Sequence, residues 1–136
     1  VDAVGLEKVR GGASPILTKT KRRCKMNESI LILIIYGMTA MIMIAIGITQ
    51  LRSKKPVGFY SGERAPREDE IRDVRAWNKK HGMMWLIYGI IIMVSWFLGA
   101  MIGDSAFSLI PFCGGLLIPI VVMIYYHHRL IKLYRK

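Results

Sequence analysis

Three stretches of this chain, Ser29–Leu51, Gly82–Gly103 and Ser105–Tyr126, contain no Asp, Glu, Lys or Arg. Each is about 22 residues long, or roughly 33 Å as a helix, against a bilayer hydrocarbon core of roughly 30 Å. In lipid every backbone N–H and C=O must find its partner inside the protein, which only helices and closed barrels provide. Unbroken apolar runs lack the in–out alternation of barrel strands. The sequence therefore predicts an all-α membrane protein with three transmembrane helices, at about 30–51, 83–103 and 107–126.

Charge is crowded between and around these runs. The net charge is +11, but basic residues beside membrane spans are an orientation signal and a match for anionic headgroups, so a nucleic-acid partner is not expected. The interval Arg52–Gly82 holds nine Lys/Arg and the tail after Tyr126 holds four, while Asn27-Glu28 and the Gly103–Ser108 link hold none. The positive-inside rule puts the interval and the tail in the cytoplasm and the N-terminus outside, in a bacterial cytoplasmic membrane. Seven further basic residues precede Met26 and would fall on the wrong side. The expectation is therefore that residues 1–25 are a non-native or disordered extension, an over-extended reading frame, and that 26–136 form a single three-span domain. Gly11-Gly12 with Val9, Leu6 and Val1 upstream also has the spacing of a double-glycine export leader.

Within the spans, Met38, Met41 and Met43 read as lipid contact and gap-filling, since no His or Cys stands near them to complete a copper site. Gly37, Ala40 and Gly47 would let another helix approach closely. Ser95, Gly99 and Gly103 form a small-xxx-small ladder for helix packing, against either an internal partner or a second copy in a homo-oligomer. The short Gly103–Ser108 link makes spans two and three an antiparallel hairpin. Pro119 is expected to kink span three and free a carbonyl. Cys24 and Cys113 make neither a disulfide framework nor a metal site, and His127-His128 read as interfacial residues rather than metal ligands.

The polar interval is where a specific function is expected. Pro56, Gly58 and Gly62 argue against regular structure in its first third. Pro66 followed by Glu68, Asp69 and Glu70 reads as a helix start with its dipole compensated. Ile71, Val74, Trp77, Asn78 and His81 then fall near one face, predicting a cytoplasmic amphipathic helix over about 66–81, lying on the membrane surface before span two.

No span carries the Asp pair, Ser–His set or metal motif of an intramembrane hydrolase, nor the midplane carboxylate of a proton-coupled exporter. No catalytic, cofactor-binding or metal-binding residue is therefore expected, and no cofactor. What remains is Gly58-Phe59-Tyr60-Ser61 and Trp77-Asn78-Lys79-Lys80-His81-Gly82. Their arrangement, from about Pro56 to Gly89, resembles the SdpI family of small bacterial membrane proteins. In that family a Gly-Ile-Arg-Thr-like turn follows one span, and a Trp with a His four residues later leads into the next. Trp77 and His81 keep that spacing, and Tyr60 stands where the family pattern has Arg. The resemblance implies a toxin-immunity protein, or one that sequesters a regulator at the membrane, with Gly58, Phe59, Tyr60, Trp77, Asn78 and His81 binding a partner or structuring the loop. Besides the lipid bilayer, the candidate partners are a peptide toxin, a regulator or a larger membrane protein. The alternatives are an accessory subunit of a transporter or sensor complex, packing through Ser95, Gly99 and Gly103, and an oligomeric conduit around Pro119.

Overall fold

The computed structural model describes residues 15–60, 62–103 and 105–136. It contains three long helices, α1 (Pro15–Arg52), α2 (Val74–Ile102) and α3 (Leu109–Tyr134), with 3-10 turns at Glu68–Glu70 and Ala106–Ser108. Among the described residues, three helical segments are long and apolar enough to cross a membrane. The chain divides into two units, Val1–Ile32 and Leu33–Lys136. In the first, the described residues are the N-terminal half of α1, so residues 15–25 are helical and exposed. Gly11-Gly12, Ser61 and Asp104 lie outside the described residues.

The second unit carries the core. It is thin: Ala40, Trp77, Ile92 and Leu130 are fully enclosed, while Ile90, Phe97, Met101, Val121 and many other large apolar side chains point outward. Water would penalise that much apolar surface, whereas lipid tails solvate it, so little needs to be buried.

Small residues set the helix contacts. On α1, Ala40 and Gly47 are buried, and they meet Gly89 and Gly82 of α2. A Cβ on Gly82 would stand 2.7 Å from Leu51 Cγ and 2.8 Å from Gly47 O. Between α2 and α3, Gly99 receives the ring of Phe112 and Ser95 lies on Gly115. Gly103 ends α2 with φ of 74°, a conformation that glycine adopts without a Cβ clash. Two members of the Ser95–Gly99–Gly103 ladder thus face α3 of the same chain, and the third is a helix cap. Gly37, by contrast, has nothing near its missing Cβ.

Two tyrosines tie α3 in place. Tyr36 Oη donates to Phe112 O at 3.2 Å and Tyr88 Oη donates to Leu116 O at 3.0 Å. The second bond falls in the turn before Pro119, where the ring nitrogen has removed one donor from the helical ladder.

The polar interval differs from its expected form. No separate surface helix spans 66–81: residues 68–70 make one 3-10 turn, and 74–81 are the opening turns of α2 itself. The cause is local. Asp73 is extended and its Oδ1 accepts from Ala76 N at 2.9 Å, so it caps α2, whose first helical residue is Val74 rather than Pro66. Ile71 is buried and pairs with Arg135 in an antiparallel bridge, with Arg72 N donating to Tyr134 O and Lys136 N donating to Glu70 O, both at 2.9 Å. Extended backbone there finds its partners in the chain end. Helix α3 also runs on to Tyr134, past the span end expected at Tyr126.

Candidate functional site: the polar cap on α2 and α3

Trp77, Asn78 and His81 occupy one face of the first two turns of α2, and all three are buried. Asn78 organises the chain that leaves α1. Its Oδ1 accepts from Val57 N at 3.1 Å, and its Nδ2 donates to Ser53 O and Lys55 O, each at 2.9 Å. Trp77 Nε1 donates to Val57 O at 2.9 Å, and Gln50 Nε2 donates to Gly58 O at 3.2 Å. An irregular segment has no ladder of its own, so these side chains satisfy its backbone groups in a part-buried setting. The result is a cap: residues 53–60 and 62–73 folded over the ends of the helices.

Beneath the cap runs a chain of hydrogen bonds that fixes its own polarity. His81 Nδ1 lies 3.0 Å from Trp77 O, an acceptor only, so that nitrogen carries the hydrogen. In the neutral ring His81 Nε2 then accepts, and it lies 2.9 Å from His127 Nδ1, which must donate. His127 Nε2 meets Glu63 Oε1 at 3.1 Å. That contact is a hydrogen bond when a hydrogen lies between the two atoms, since a bare lone pair against a carboxylate would repel. The other oxygen, Glu63 Oε2, accepts from Phe59 N at 3.0 Å. Phe59 lies flat on His127, with ring centroids 4.4 Å apart and 13° between planes, and Trp77 packs on His81 at 4.1 Å. The two imidazoles are thus held in place by bonds at their edges and by rings on their faces.

Of the residues singled out in the sequence, Phe59, Trp77, Asn78 and His81 meet in this cluster, with Gly58 held at its edge. Tyr60 touches the cluster edge-on at Phe59, with ring centroids 6.1 Å apart, and is itself 61% exposed, lining a groove of about 550 Å³ with Trp85, Ile124 and His128. Trp85 Nε1 and Gln50 Oε1 are buried without a hydrogen-bond partner among the described residues. A second, more polar pocket of about 390 Å³ opens on the other flank, lined by Glu63, Arg64, Arg67, Glu70, Trp77 and Arg135 among others. Sequence reasoning missed Glu63 and His127. A signal existed for His127, since His81 and His127 stand 23 positions before and after position 104, the middle of the hairpin link. Equal arms of an antiparallel hairpin place such residues side by side.

The cluster is a scaffold of hydrogen-bonded and stacked side chains. Among the described residues no Ser, Thr or Cys side chain hydrogen-bonds to either imidazole, and no group of three His, Cys, Asp or Glu has the disposition of a metal site. Compared with family models, curated proteins and solved structures, the chain matches none of them.

Proposed function

We propose that this multi-pass membrane protein is a binding protein of the bacterial cytoplasmic membrane, of the SdpI-like immunity type, that acts through its polar cap on the cytoplasmic side. One observation carries the reading: the interval between α1 and α2 is folded by buried side chains rather than left loose, and it presents an exposed Tyr60 above a grooved surface. A preformed surface binds without the cost of ordering a loop. The basic residues of the interval and of the tail (Arg129, Lys132, Arg135, Lys136) favour the cytoplasmic side. Trp77, Asn78 and His81 build the surface, and Tyr60 with its neighbours on the groove touches the partner, a peptide toxin or a regulator.

The accessory-subunit reading needs the Ser95–Gly99–Gly103 ladder on an outward face. Ser95 and Gly99 already lie on α3, so that reading has no observation in its favour. The test is protection of sensitive cells. Cells expressing the chain should survive the supernatant of toxin-producing siblings, and Tyr60→Ala should abolish survival at unchanged protein level. Equal killing with and without the chain would overturn the immunity reading.

A further inference from the structure

On the side of α2 and α3 away from Tyr60 lies a groove of about 680 Å³, walled by Met83, Ile87 and Ile91 from α2 and by Ile118, Val122 and Tyr126 from α3. Its lining is apolar except at one end, where Lys79 and Lys80 stand exposed at its mouth. No Asp or Glu lines the groove, and among the described residues neither lysine is ion-paired. From Lys80 to Ile91 the helix rises about 16 Å. One leaflet of a bilayer core is roughly 15 Å deep. The groove is thus as long as one leaflet, apolar along its length, and positively charged only where a headgroup would lie.

We propose that this groove seats an anionic glycerophospholipid of the leaflet next to the cap, with an acyl chain between α2 and α3 and the headgroup phosphate on Lys79 and Lys80. The apolar walls accept the chain of any phospholipid; the lysines discriminate by headgroup charge. Lys79 and Lys80 follow directly on Trp77 and Asn78, so a headgroup held there sits on the same two helical turns that fold the cap. This assignment does not depend on what the cap binds.

The test uses the full chain, purified in neutral detergent and titrated with phosphatidylglycerol or phosphatidylcholine of identical acyl chains, with bound lipid counted by native mass spectrometry. Wild type should retain phosphatidylglycerol at least tenfold better than phosphatidylcholine. The double variant Lys79→Gln/Lys80→Gln should bind phosphatidylglycerol about thirtyfold more weakly, leaving little preference. Lys54→Gln/Lys55→Gln, with the same change in net charge, should keep the preference. Ile118→Trp should obstruct the seat for both lipids. Equal retention of the two lipids by wild type would overturn the proposal. So would equal loss in the two double variants, which would mark a diffuse charge effect, or a lipid-free dimer, which would give the groove to a second copy.

Discussion

Asn78 uses both ends of its carboxamide at once, accepting from one backbone amide and donating to two carbonyls. Asn78→Asp keeps the volume and the acceptor but turns an oxygen toward Ser53 O and Lys55 O. Leaving those part-buried carbonyls without donors should cost about 1–3 kcal/mol, read as lower resistance to unfolding in detergent, whereas Asn78→Asp with unaltered stability would mean that the cap is loosely held. Glu63 allows a subtler test. Glu63→Gln retains an acceptor for Phe59 N and supplies a donor to His127 Nε2, so the cap should stay closed. Glu63→Leu satisfies neither and should open it, seen as faster hydrogen exchange at Phe59. At this scale the sequence was partly legible. The helical period placed Trp77, Asn78 and His81 on one face, and the structure buries all three. Glu63 and His127 were hidden because their meeting is a tertiary event: one comes from an irregular loop without period, the other from a helix end that read as a tail.

The elements follow from where each backbone group finds its partner. Three charge-free runs were enough to anticipate three long helices, and these outrun the hydrocarbon because α3 continues to Tyr134 and α2 begins at Val74. The expected surface helix failed for a reason that local propensity does not contain. Residues 70–72 pair with the chain end instead of with their own turn, and Asp73 starts the helix later. Helix contacts rest on missing side chains. Gly82→Val should push α1 and α2 apart, since even a Cβ there meets Leu51 Cγ at 2.7 Å; a loss of about 1–3 kcal/mol is expected for overpacking a close contact. Gly37→Ala, with open space around it, should be neutral or slightly stabilising. Thermal unfolding of the two variants in one detergent separates these outcomes, and equal behaviour would contradict the α1–α2 contact.

The described residues from Leu33 onward have a small core and a large apolar exterior, a balance suited to lipid as solvent. In the proposed arrangement, with three crossings of a bacterial membrane and the cap on the cytoplasmic side, the two ends would lie on opposite sides. In spheroplasts carrying Cys113→Ala, a membrane-impermeant maleimide should reach Cys24 from outside, and a cysteine replacing Lys136 only after lysis; labelling of both from one side would contradict three crossings. The most direct test concerns the cap, the claim on which the binding proposal stands. Hydrogen exchange of the full chain in lipid nanodiscs should find the amides of Val57, Phe59 and Arg72 protected, because each donates to a fixed acceptor, and Asn78→Asp should release them. Exchange of all three in the wild type as fast as in a free peptide of residues 53–73 would contradict a folded cap.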